Sequence, residues 1–485
     1  VSFRSKLARL QSLGPPLASS DAPPPPSTGA PDGSSRGLDP QLDPDDARRG
    51  KLDELRARMQ AILARTASRG PRTPPEVSTP ELPFVTEETP LGPLHLRTVR
   101  LSASHRTGRA PLLAARTASA ELLALLALDA TLERCDPARA LYLDTETTGL
   151  SGGTGTVAFL VGLAFWTDGP SGGLVVEQIL VRNLGEEAPM LAHVAKRIAE
   201  ASMLVTFNGK SFDLPLLRTR FVMARLPLPA EPPHLDLVHV ARRLHRPRGI
   251  ECRLVSIERD ILGFERHDDV PSGEVSACYL HFLRTGETRA LLGVIEHNAW
   301  DVVAMAALVG LYGEPLEGTQ LDAADLVGLA RTLHRAGEGE RALDAVTRAV
   351  DAGVGAESLR ARAEIAKARG DKARALVDFE RLAEQVDCRK TRLELAKLYE
   401  HYVREPARAL AMIEQGVAED DASIARRSER LSRKLTRGAG ARKRRQPELP
   451  GLAHAVAGER AASAADEVGL PPRRAGTKPR DSGDP

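Results

Sequence analysis

The period of hydrophobic and polar positions changes several times along the chain, and the changes divide it. Residues 14–50 show no period: Pro23 to Pro26 and the Gly, Ser and Asp clusters after them carry too little apolar side chain to form a core. From Lys51 to Ala67, Leu52, Leu55, Met59 and Ile62 or Leu63 recur every three or four residues, which predicts a short helix ended by Pro71, Pro74 and Pro75. Pro83 to Leu101 reads as strand-rich, and Ala120 to Leu128 as an apolar helix.

At Leu141 the pattern becomes that of buried strands. Leu141–Thr147, Thr156–Thr167 and Leu174–Arg182 are apolar runs, and the turn-forming Asp168-Gly-Pro-Ser-Gly-Gly173 makes the last two an antiparallel pair. An amphipathic helix over Ala188–Glu200, a strand over Met203–Phe207 and a helix over Asp213–Ala224 follow. Leu235–Leu244, Arg253–Leu262 and Arg289–Leu311 predict a helix-rich second half. This order is that of an α/β layout on a mixed sheet. Beyond residue 320 the chain is Ala-, Leu- and Arg-rich, and Arg-Ala-Leu triplets begin at 341, 374 and 408. Spacings of 33 and 34 residues match the period of tetratricopeptide-like helix pairs, which stack because no pair buries its own apolar face; an irregular α-bundle is the other reading. Past Gly438, with Arg442-Lys-Arg-Arg445, a disordered basic tail is expected.

Composition narrows the function classes. The net charge is only +2, so a nucleic-acid surface has to be a local patch, and 4% aromatics argues against extensive base-stacking platforms. Four single cysteines with no CxxC pair predict neither a zinc site nor a disulfide framework, and fit a cytoplasmic setting. The longest apolar run read from the sequence, Val157–Trp166, falls short of a membrane span, and Val1–Leu13 has no apolar stretch of a secretory signal.

Three motifs carry chemistry. Asp144 and Glu146 are two residues apart on a strand, hence on one face, where two like charges are unfavourable unless a cation neutralises them. Alone, the pair reads equally well as exposed acids at a strand end. Asn208-Gly-Lys-Ser-Phe212-Asp213 follows a buried strand, and Asp213 suits both a ligand at a sheet edge and the first turn of a helix. His297-Asn-Ala-Trp-Asp301 lies inside a helix, where i and i+4 share a face. Asp301 is followed by Val302, Val303, Ala304 and Met305, a setting costly for an uncompensated carboxylate. Arg242, Arg243, His245, Arg246, Arg248 and Arg253 are either a solvated face or phosphate contacts, with Lys210 the better single candidate for such a contact. Asp236 is read as a cap or turn acid, His267, Asp268 and Asp269 as a solvated loop, and Gly152–Gly155 as a hairpin turn.

In this order and spacing the motifs resemble the DEDD 3′–5′ exonuclease superfamily, which includes polymerase proofreading domains and RNase T- and RNase D-like enzymes. Asp144 and Glu146 match its Asp-x-Glu, and Asn208, Phe212 and Asp213 its second motif. Asp301 matches the last aspartate, with His297 four residues earlier, where one subclass has Tyr and the other has His five earlier. Ser151-Gly-Gly-Thr-Gly-Thr156 and Leu235–Arg243 further resemble bacterial YprB-like ribonuclease-H-like proteins, which often carry tetratricopeptide repeats after the nuclease-like domain.

The resemblance implies a ribonuclease-H-like mixed five-stranded sheet flanked by helices over 141–315. It also implies that Asp144, Glu146, Asp213 and Asp301 hold two Mg²⁺ or Mn²⁺ ions, with His297 as proton acceptor. Thr147, Asn208, Lys210 and Phe212 would contact single-stranded RNA or DNA. The remaining expected segments are a mostly disordered 1–82, an extension over 83–140, helical repeats able to recruit a protein partner over 321–432, and a disordered basic 433–485; no membrane partner is expected.

Overall fold

The computed structural model describes residues 80–149, 154–169 and 172–443, with side chains to 437. The expected Pro-rich segment, the helix over 51–67, part of the Gly152–Gly155 turn and the tail beyond 443 lie outside the described residues.

Strands β1 (Val85–Thr89), β2 (Gly92–Ser102), β3 (Ala140–Thr147), β4 (Ala158–Thr167), β5 (Gly173–Leu180), β6 (Met203–Thr206) and β7 (His234–Asp236) form one sheet. Its order is β1-β2-β5-β4-β3-β6-β7. The pairs β3–β6 and β6–β7 are parallel and the others antiparallel. The sheet therefore has seven strands, not the five expected. The difference comes from the N-terminal extension: β2 pairs along β5 from His95↔Leu180 to Ser102↔Gly173, so β5, which would have been an edge, is covered.

Helices cover both faces, which is why β4 and β5 are almost wholly buried and read as continuous apolar runs. On one face Leu141, Leu143, Val161, Leu163 and Ile179 pack on α2 (Ala188–Glu200) and α3 (Asp213–Met223). On the other, Tyr142, Ala164 and Val176 pack with α1 (Ala120–Ala127), α4 (Leu237–Leu244) and α6 (Arg289–Tyr312). Helix α5 (Val275–Thr285), not predicted, covers the end of the sheet, with Tyr279 stacked on Phe159 at 4.0 Å between ring centres. The 253–262 helix is a short α-turn continued by a π-turn that ends at Gly263 in the left-handed region. By length and composition α6 could cross a membrane, and it exceeds the apolar run found in the sequence. Here it is the central core helix, buried from Asp301 to Tyr312.

The C-terminal region is helical: α7 (Asp325–Ala336), α8 (Gly339–Asp351), α9 (Ala356–Ala368), α10 (Lys372–Gln385), α11 (Arg389–Leu398), α12 (Pro406–Glu414) and α13 (Asp421–Lys443). Each packs on the next. Helix α13 continues past the 432/433 boundary expected from composition. The first of these helices share the core of the sheet domain, since Leu326, Leu329, Val346 and Ile365 belong to the cluster holding α1 and α6. Fully buried His245 sits between Asp325 Oδ1 and the Tyr312 hydroxyl, 2.9 Å from each, and Arg248 bonds Asp325 Oδ2 at 2.8 Å. These polar contacts fix α7 against the sheet domain.

Candidate active site

Strand parity decides which carboxylates meet. Tyr142 faces the α6 layer, so Asp144 and Glu146, at the same parity on β3, extend that face towards α6. Thr145 has the opposite parity and faces α3, where its hydroxyl donates to Asp213 Oδ1 at 2.5 Å. Asp213 thus reaches the sheet end from one layer while His297 and Asp301 reach it from the other. Between Glu146 and Thr147 the β3–β4 register shifts, after which Thr147 pairs with Ala158 and the Thr148 N–H donates to the Val157 carbonyl at 3.0 Å.

These five side chains line one open cleft of about 420 Å³. Thr147, Asn208, Phe212, Ser272, Gly273 and Ser276 line it too. Phe212 is 59% exposed, an apolar ring held at the entrance. Lys210 is exposed and not among the cleft residues. Asp236 organises the second motif: it accepts from the backbone N–H of Asn208 at 2.7 Å and Lys210 at 3.1 Å, and caps α4 through Val238 N–H at 3.3 Å. That cap places Asn208 at φ +71°, in the left-handed region that Asn tolerates better than most residues.

The electrostatics are those of a site short of positive charge. Burial pushes the Asp144 carboxyl well up, and Asp301, Asp213 and Glu146 push it further, against a hydrogen bond from Asn298. Glu146 is raised to about 8 by burial and by Asp301, and Asp213 to about 6, chiefly by burial. One oxygen each of Glu146 and Asp301 and a ring nitrogen of His297 lie within 4.8 Å of one another. The donors are mostly hard oxygens, which suit Mg²⁺ or Mn²⁺, and a divalent cation would relieve the repulsion among them. The residues present fit such an ion.

Four residues given no role by the three motifs, Arg266, Glu258, Asp269 and Asn298, complete the site. Arg266, its side chain 1% exposed, bonds Glu258 through two nitrogens at 2.6 and 2.7 Å and also bonds Asp301. Burial works against its charge, but Asp301 and Glu258 outweigh that and hold it cationic. Asp269 Oδ1 lies 2.6 Å from His297 Nδ1, which corrects the reading of Asp269 as solvated; His267 and Asp268 are exposed as expected. A carboxylate only accepts, so Nδ1 carries the proton and Nε2 faces Asp301 and Glu146 at 3.6 and 3.9 Å. Arg266 Nη1, 3.2 Å from the same Nδ1, is then a neighbour of the ring and not a donor to it. Burial lowers the His297 pKa, but Asp301, Glu146 and Asp269 outweigh it and the net shift is upward.

The fourth is Asn298, fully buried, whose Nδ2 donates to Asp144 Oδ2 at 2.9 Å. Gln178 on β5 donates to Asn298 Oδ1 at 2.9 Å, and Arg97 on β2 donates to Gln178. The added strand β2 is thereby wired to the first motif. Gly162, opposite Asp144 on β4, makes room: a Cβ there would lie 2.3 Å from Asn298 Oδ1. Of these residues only Asn298 lay inside a motif, and the sequence signal for the others was at most an acid-rich loop.

Residues 141–312 match the family model of the RNase_H superfamily, and this segment carries an RNase H-like fold, a mixed sheet flanked by helices. The match points to a nuclease-like function. Among curated proteins, the chain is 29% identical over 306 residues to a Bacillus subtilis (strain 168) protein described as uncharacterized protein YprB. The alignment covers 61% of this chain and 73% of that protein.

Proposed function

We propose that the chain is a metal-dependent 3′–5′ exonuclease that hydrolyses phosphodiester bonds at the ends of single-stranded RNA or DNA. The observation that carries this reading is the convergence of Asp144, Glu146, Asp213, Asp301 and His297, from three separate segments, in one open cleft. Asp144, Glu146, Asp213 and Asp301 would hold two Mg²⁺ or Mn²⁺ ions, which when bound acidify water and neutralise charge on the scissile phosphate. With the cations neutralising the carboxylates that otherwise raise its pKa, His297 Nε2, which faces Glu146 and Asp301, would accept the proton of the attacking water. Thr147, Asn208 and the Phe212 ring position the terminal nucleotide, and Lys210, outside the cleft, meets the strand beyond it. The repeats over 321–432 are read as a tetratricopeptide-like solenoid, supported by the Arg-Ala-Leu triplets falling at the starts of α8, α10 and α12. We place the protein in the cytoplasm, where its four free cysteines would stay reduced.

One observation favours a second reading. Arg266 already bonds Asp301, so a cationic side chain partly does what a metal would do. A nucleic-acid-binding scaffold of weak or no activity, recruiting a partner through its repeats, would tolerate that. End-labelled linear strands and circular strands, each as RNA and DNA with and without Mn²⁺, separate the readings. Shortening of linear strands only, from the 3′ end, is expected; nicked circles mean an endonuclease, and binding without hydrolysis means the scaffold.

A further inference from the structure

The basic residues between the second and third motifs fall into two groups. Arg243 donates to the Leu126 carbonyl at 3.0 Å, Arg248 bonds Asp322 and Asp325, and His245 is fully buried. These three hold α1 and α7 in place and are unavailable to a ligand. Arg242 and Arg246 are exposed and, among the described residues, have no ion-pair partner. With Arg253, whose partner is the exposed Glu251 at 2.8 Å, they line an open concavity of about 450 Å³.

This concavity lies at the C-terminal end of α4, whose N-terminal end adjoins the loop that carries Asn208 and Lys210. Lys210 sits over the N-terminal end of α4, because Asp236 binds its N–H and also caps that helix. His239 and Arg242 are three residues apart on α4, hence on one side of it. The His239 imidazole lies within electrostatic reach of both Lys210 and Arg242. From Leu237 to Leu244 helix α4 is about 10 Å long at 1.5 Å per residue, and Arg246 opens the 3₁₀ turn just beyond it. Lys210, Arg242 and Arg246, with no ion-pair partner among the described residues, thus run from beside Asn208 and Phe212 along α4.

We infer that this line is a track for the phosphate backbone of a single strand, with Lys210, Arg242 and Arg246 as its phosphate contacts. It rests on reading the carboxylate cleft as a nuclease site, with the 3′ end there and the upstream nucleotides on the track. Such contacts position a strand without reading its sequence, and each adds about 0.7 to the slope of log affinity against log salt.

The test uses the full chain as R242E/R246E and, as a milder pair, R242Q/R246Q. Binding of a fluorescent 15-mer and of a trimer is followed by anisotropy over a salt series. Hydrolysis of thymidine 5′-monophosphate p-nitrophenyl ester with Mn²⁺ is measured alongside. Expected are at least tenfold weaker 15-mer binding by R242E/R246E, a smaller loss for R242Q/R246Q, a slope reduced by about 1.4, and trimer binding and ester hydrolysis at wild-type levels. Unchanged 15-mer affinity and slope in both variants overturns the track, as does an equal loss for trimer and 15-mer. If the wild type fails to cleave the ester, the catalytic reading fails, while the binding arm still decides the track.

Discussion

Asp269 Oδ1 and His297 Nδ1 lie 2.6 Å apart, and this contact turns the other ring nitrogen of His297 towards Glu146 and Asp301. Asp269 is not a proposed ligand; it acts through His297. Replacing it with Asn keeps the size but allows the opposite tautomer. We expect Asp269→Asn to lower Mn²⁺-dependent hydrolysis about 10- to 100-fold with little change in melting temperature. Nitrogen chemical shifts of labelled histidine read the tautomer directly; a wild-type tautomer together with wild-type turnover would remove Asp269 from the account.

The buried carboxylates repel one another, so metal and charge removal should act oppositely on stability. In the metal-free protein Asp144→Asn should cost little or raise the melting temperature, because it deletes a charge that burial, Asp301, Asp213 and Glu146 all disfavour. The same variant should lose most of the stabilisation that Mn²⁺ gives the wild type, about 2.7 kcal/mol at a hundredfold excess over the dissociation constant. Thermal melts with and without Mn²⁺ measure both. An equal Mn²⁺ shift in the two proteins contradicts the ligand assignment.

Gly162→Ala tests the wiring behind Asp144. The new Cβ would meet the Asn298 amide, which Gln178 and Asp144 hold in place. A loss of about 1–3 kcal/mol is expected, together with weaker metal binding. Restoration of metal binding in Gly162→Ala/Asn298→Ala, where the clash is relieved, would instead show that the Asn298 hydrogen bond is dispensable.

Much of this was legible in the chain, for physical reasons. Asp144, Glu146, His297 and Asp301 could be placed because strand and helix periods fix which positions share a face. Asp236 could be read as a cap because Asp is preferred there. Arg266 and Asp269 could not, since they sit in a loop with no period and meet His297 only through the fold. The two extra strands were foreshadowed by the apolar pattern of Pro83–Leu101, but nothing local says that β2 pairs with β5, more than seventy residues later. Charge runs were the least legible: Arg243 and Arg248 look like Arg242 until their partners Leu126 and Asp325 are known.

The C-terminal helices offer a pH test away from the cleft. The Glu400 side chain is fully buried and meets Arg430 at 2.7 Å and Lys434 at 2.8 Å, with Arg427 at 3.5 Å. Arg430 above all, against the cost of burial, lowers its pKa from 4.5 to about 2. The unfolded chain binds this proton more readily, so the stabilisation is present above about pH 4.5 and is lost as pH falls through about 2. Glu400→Gln should cost about 1.5–3 kcal/mol at neutral pH. In chemical denaturation the gap between wild type and variant should shrink below pH 4.5; a gap independent of pH would mean that charge is not the cause.

Whether the convergent carboxylates make a metal-dependent hydrolytic site is decided by one comparison. Purified wild type, Asp144→Ala and Asp301→Ala are incubated with 5′-labelled single-stranded RNA and DNA in Mn²⁺ or EDTA. Progressive shortening by the wild type in Mn²⁺ alone, and none by either variant, is expected. Shortening by both variants at the wild-type rate, or an EDTA-resistant wild-type reaction, would contradict such a site.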